Sequence, residues 1–78
     1  MTATAPRYFF HLIGDHASFP DDIGWRFNTL DDAKAEAAMI ARDLATENNV
    51  FADYVVCVAD DSGHTVALVP VEPSWDLQ

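Results

Sequence analysis

The hydrophobic pattern of the chain predicts an α+β domain of ββαββ type, a four-stranded antiparallel sheet with one helix packed on one face. Three observations carry this. Two apolar stretches precede a single stripe at helical spacing, two more follow it, and turn residues separate the members of each pair. At 78 residues the chain reads as one small domain, 1–78, with residues 1–5 as a disordered N-terminal tail and 72–78 as a C-terminal tail. A domain of this size buries only roughly 60% of its unfolded surface, so any area that association covers weighs in its stability.

Residues 7–13, Arg-Tyr-Phe-Phe-His-Leu-Ile, are almost continuously bulky and apolar, as expected of a central strand covered on both sides. Alternation assigns Tyr8, Phe10 and Leu12 to one face and Phe9, His11 and Ile13 to the other. Residues 14–24 are polar and contain Pro20-Asp21-Asp22 and two glycines, which reads as a loop. A second strand is predicted over 24–28, with Trp25 and Phe27 sharing a face, so the first pair forms a hairpin with a long connection.

Thr29-Leu30-Asp31-Asp32 is a variant capping box. The Thr29 hydroxyl can accept from the Asp32 N–H, and two acids suit the positive end of a helix. Leu30, Ala33, Ala37, Ile40, Ala41 and Leu44 then form one apolar stripe, and Asn48-Asn49 is expected to close the helix. The alanines allow close approach to a sheet. A third strand is predicted over 54–60, a turn over 61–64 with Gly63 at positive φ, and a fourth strand over 65–71 with Pro70 at an edge or strand end. The order 2-1-3-4 places the two most hydrophobic strands in the middle; order 1-2-3-4 is the alternative.

Thirteen acids against four Lys and Arg give a formal charge of −9, with no basic cluster. Nucleic-acid binding is therefore not expected, since it needs grouped cations to displace counterions. A basic protein partner suits this charge better. The single cysteine, Cys57, has no partner for an internal disulfide and reads as a small core residue in a reducing cytoplasm. No apolar run is long enough to span a membrane.

The residues Pro6-Arg7-Tyr8-Phe9-Phe10-His11-Leu12, then Asp15, Gly24, Phe27, the helix start Leu30-Asp31-Asp32-Ala33-Lys34-Ala35-Glu36-Ala37, and Asp60-Asp61-Ser62-Gly63 carry a resemblance. Together they resemble the small domain-of-unknown-function family of alphaproteobacteria such as rhizobia that begins with an RYFFHL head. The resemblance runs from Pro6 to Val71 and implies a cytoplasmic bacterial protein, with no activity attached. A second, weaker similarity is to HicB-type antitoxin domains, in which a strand pair also leads into a Thr-Leu helix start. The aromatic head departs from that pattern, and no DNA-binding extension is visible.

His11 and His16 flank Asp15, but one lies on a strand and one in a loop, and their spacing is not that of metal ligands. Asp21, Asp22, Asp60 and Asp61 would chelate a cation only if two loops met, and no alternating calcium loop is present. Ser62 and His64, or His11 with an aspartate, supply the residue types of a nucleophilic triad. Ser62 nevertheless sits in a turn without an elbow, only two residues from His64. Cys57 between valines lacks the electropositive setting of a reactive thiol. No enzymatic activity, cofactor or metal site is expected.

One helix covers one sheet face, assigned to Tyr8, Phe10, Leu12, Val56, Val58, Val66 and Leu68. Phe9, His11, Ile13, Val55, Cys57, Ala67 and Val69 are left on the other. Contiguous apolar area of that kind marks an interaction surface. The sequence therefore predicts a non-enzymatic interaction or regulatory module that forms a homodimer through this face, unless the tail with Trp75 and Leu77 folds over it. The alternative is an antitoxin-like binder of a basic protein; a divalent-cation-dependent enzyme ranks below both.

Overall fold

A computed structural model describes residues 5–46 and 51–71. The element order is β1 (Arg7–Ile13), β2 (Ser18–Phe19), β3 (Trp25–Arg26), α1 (Leu30–Ala45), β4 (Val55–Ala59) and β5 (Thr65–Pro70). All neighbouring strands are antiparallel, in the order β2-β1-β4-β5, with β3 also paired to β1. The α+β class, the single helix and the central position of the first strand follow the sequence reading.

The outer strand beside β1 is where the two part. In place of one strand over 24–28, the chain makes two short ones: β2 pairs with the end of β1 (Leu12 with Phe19) and β3 with its start (Tyr8 with Trp25). Residues 20–24 of the outer segment therefore lie opposite residues 9–11 of β1, and the surplus must leave the ladder as a bulged loop. Pro20 suits the break, since it has no N–H to give to a neighbour.

Helix α1 is built as its sequence requires. The Thr29 side chain accepts from the Asp32 N–H at 3.1 Å, and Asp31 and Asp32 occupy the first turn. The helix ends at Ala45, earlier than Asn48-Asn49 would place it. Thr46 caps it, with its Oγ1 donating to the Asp43 carbonyl at 2.7 Å. Asn48 and Asn49 lie outside the described residues, as do residues 1–4 and 72–78 of the tails.

Ala33, Ala37 and Ala41 are buried against the sheet, with Tyr8, Val56, Val58 and Val71 beneath them. Phe10, Leu12, Phe27, Leu30, Ile40 and Leu44 close the rim. With alanines at the centre of its contact stripe, the helix lies close to the strands, and beside it Phe27 meets Phe10 in a T-shaped contact and Tyr8 at a tilt.

The face assignment of β5 is corrected by its register. Cross-strand partners share a face, and Ala67 pairs with Val58 and Val69 with Val56, so Ala67 and Val69 lie on the helix side. Leu68 pairs with Cys57 and lies on the other side. The cause is a register shift between Val58 and Ala59, which inserts Val66 as an extra residue. One added residue inverts the face of every residue beyond it.

Candidate interaction surface

The face away from α1 carries Phe9, His11 and Ile13 of β1, Val55, Cys57 and Ala59 of β4, and Thr65 and Leu68 of β5. Five of the seven residues predicted for this surface lie on it. Ala67 and Val69 do not, while Ala59 and Leu68 join it. Leu68 is 63% exposed and Ile13 41%. Cys57 and Ala59 are small and buried, and the Cys57 Sγ lies 3.5 Å from Thr65 Oγ1.

Loop 20–24 leans on the β1 side of this face, and Asp21 holds it there. Asp21 Oδ2 accepts the Phe10 N–H at 3.1 Å, and Oδ1 accepts from Ile23 and Gly24 at 3.0 and 3.1 Å. The Asp21 N–H in turn donates to His11 Nδ1 at 3.0 Å, which requires the tautomer with its proton on Nε2. Side chain and backbone of one residue thus occupy the gap that the bulge opens between β2 and β3. The Asp-x-x-Gly spacing was the available signal, because an aspartate readily binds the N–H groups two and three residues on.

Gly24 completes the loop at φ +73°, a conformation that favours glycine. A Cβ there would fall 2.7 Å from Arg7 Cγ and 2.9 Å from Phe9 Cε2. The loop backbone therefore rests on the Arg7 stem and the Phe9 ring, whose other neighbour is the His11 ring, stacked at 6.4 Å.

Burial alone would raise the Asp21 pKa. The N–H groups of Gly24, Phe10 and Ile23, with His11 nearby, outweigh it and hold the carboxyl below its ordinary value of 3.8. A carboxyl with a lowered folded-state pKa contributes stability above its unfolded pKa and loses it as pH falls through the folded value. Acid titration of the melting temperature is therefore expected to show a loss beginning near pH 3.8 and continuing below it. Asp21→Asn should remove that component, and an identical acid limb in both proteins would count against the assignment.

The residue types of a triad do meet in the β4–β5 turn, but in the wrong order. Ser62 Oγ lies 2.8 Å from Asp60 Oδ1 and 3.1 Å from His64 Nδ1, so the hydroxyl stands between carboxylate and imidazole. A nucleophilic triad needs the imidazole in the middle, taking the hydroxyl proton while the acid orients its far nitrogen. Here Asp60 Oδ1 also accepts the Ser62 and His64 N–H groups, which is the work of a turn. Those bonds, led by the Ser62 hydroxyl, hold the exposed Asp60 carboxyl below its ordinary value.

Asp21 is occupied by N–H groups of its own loop and of β1, Asp60 by those of its own turn, and no three His, Cys, Asp or Glu residues converge among the described residues. His16 is exposed. No described helix is long and apolar enough to cross a membrane.

The acids are distributed unevenly. Of the ten among the described residues, none falls within a strand; they occupy the loops, the turns and the helix. The strands of the face away from α1 accordingly carry no acid, and one end of them is cationic, since Arg7 alternates onto that face and Arg26 pairs with Arg7.

No curated protein and no solved structure matches the chain. The domain of unknown function DUF6894 matches residues 7–72, from the first residue of β1 to just past the end of β5, and the chain belongs to that family.

Proposed function

We propose that the protein is a non-enzymatic interaction module that self-associates as a homodimer through the sheet face opposite α1. The observation that carries this is the one-sided cover. The helix shields one face, whereas the other, beyond the part of β1 on which loop 20–24 rests, presents Ile13, Val55 and Leu68 with no element laid over them among the described residues. In a chain of charge −9, that face is also where two copies meet with no carboxylate on the apposed strands.

The sheet edges favour the face as the route of association. Val71 donates its N–H to Tyr54 O at 2.9 Å, so the alternating ladder turns Ala67 and Val69 toward β4 and Leu68 and Pro70 outward. Pro70 has no N–H to offer an added strand. The opposite edge is broken by loop 20–24. Both edges are blunted, as protected edges commonly are.

The account places the protein in the cytoplasm, where the buried Cys57 stays a thiol. The antitoxin-like alternative rests on the acidic surface and calls for a basic protein in an unequal complex. Leu68→Asp separates the two readings. Phe9 is a poorer probe because it also supports Gly24. A carboxylate at an interface anchor is expected to cost about 2 kcal/mol or more, roughly thirtyfold in Kd. Leu68→Asp should sediment as a folded monomer; unchanged self-association would remove this face from the account.

A further inference from the structure

Arg7 and Arg26 stand directly opposite each other in the β1–β3 ladder, on the face away from the helix. Two of the four Lys and Arg residues are thus side by side in a strongly acidic chain, although like charges across a ladder repel. Neither is bonded to a carboxylate among the described residues. Arg7 Nη1 donates to the Ile23 carbonyl at 3.2 Å and Arg26 Nη1 to the Ala5 carbonyl at 2.8 Å. Each bond holds one corner of a guanidinium and leaves its other donors free. The pair is thus held by backbone carbonyls and has no carboxylate partner among the described residues.

The same end of the sheet carries acids on its other half. Continuing the Phe9–Ala59 register by two residues sets Arg7 level with Asp61. Asp61 is exposed in the β4–β5 turn, and, unlike Asp60, its carboxylate accepts no hydrogen bond among the described residues. The face is uneven in the same sense. Its β1 half is thickened by loop 20–24, and its β4 half is lined by the small Cys57 and Ala59.

A two-fold axis along the strands, between β1 and β4, exchanges these halves. It lays the thick half of each copy on the thin half of the other and brings Arg7 and Arg26 toward Asp61 of the partner subunit. A two-fold across the strands would stack loop on loop and bring the arginines to the 14–17 turn, where one acid, Asp15, stands beside His16. We infer that the occupant of this face is a second copy docked about the axis along the strands, with the Arg7–Arg26 pair of each subunit binding the Asp61 turn of the other. Both contacts occur twice, as an isologous interface requires. This rests on the self-association reading and adds its register and charge pairing.

The test uses two exposed positions, Arg26→Glu and Asp61→Arg, with sedimentation equilibrium on each variant and on their equimolar mixture. Each variant alone sets like charges against each other twice and should self-associate at least about tenfold more weakly than wild type. The mixture satisfies both contacts and should recover the wild-type dimer. Circular dichroism melts confirm that the variants are folded. A mixture no tighter than its components, or variants that dimerise like wild type, would overturn the pairing and leave self-association standing. Rescue of Arg26→Glu by Asp15→Arg instead would turn the axis across the strands. A wild-type chain that is monomeric throughout would overturn both readings together.

Discussion

Ala37→Leu is expected to destabilise the domain by about 1–3 kcal/mol, because the added atoms must enter a contact that is already closed. Ala37 is 0% exposed, as is Ala33 beside it, with fully covered Val56 and Val58 in the sheet below. The helix would have to lift from the strands or force neighbouring side chains off their rotamers. A domain this small has about 3–5 kcal/mol to lose. At roughly 4–8 °C per kcal/mol, the melting temperature should fall far enough to be unmistakable in a thermal scan. A change within a degree or two would mean that the helix does not lie on the sheet through its alanines. Ala38, exposed on the same helix, is the control and should tolerate leucine.

Asp21→Ala is expected to cost about 1–3 kcal/mol, unusually much for a loop position. The substitution removes the acceptor for three backbone N–H groups, those of Phe10, Ile23 and Gly24. Phe10 belongs to the central strand and sits where the outer ladder is interrupted, so its N–H loses its only partner on that side. The loop should then come away from β1, seen as faster amide exchange at Phe10, Ile23 and Gly24 while the β4 amides stay protected. Asp22→Ala, exposed one residue on, should leave both exchange and melting unchanged. Equal behaviour of the two variants would show that the Asp21 bonds do not hold the loop.

The elements most legible from sequence were those whose own residues decide them. Helix α1 is set by an alanine stripe and a Thr29 cap, and the central strand by seven nearly continuous apolar residues. The outer strand was misread because Trp25 and Phe27 alternate correctly, while the break depends on Asp21 reaching Phe10 across the sheet. That is a tertiary bond with only a local Asp-x-x-Gly trace. The β5 faces were misread for a similar reason. Val66, Ala67, Leu68 and Val69 are all apolar, so alternation offers no phase, and the bulge beside Ala59 sets it instead. The face opposite the helix was nevertheless correctly drawn on β1 and β4, where five of its predicted residues remain. Arg7 and Arg26 escaped notice because their juxtaposition depends on a pairing register that composition does not reveal.

Self-association through that face is the claim on which the functional account stands. Its most direct test is the absolute mass in solution, by light scattering across a dilution series at neutral and mildly acidic pH. The account predicts twice the 8.6 kDa chain mass at high concentration, falling toward the single-chain value on dilution. A mass of one chain at every concentration and pH would contradict it.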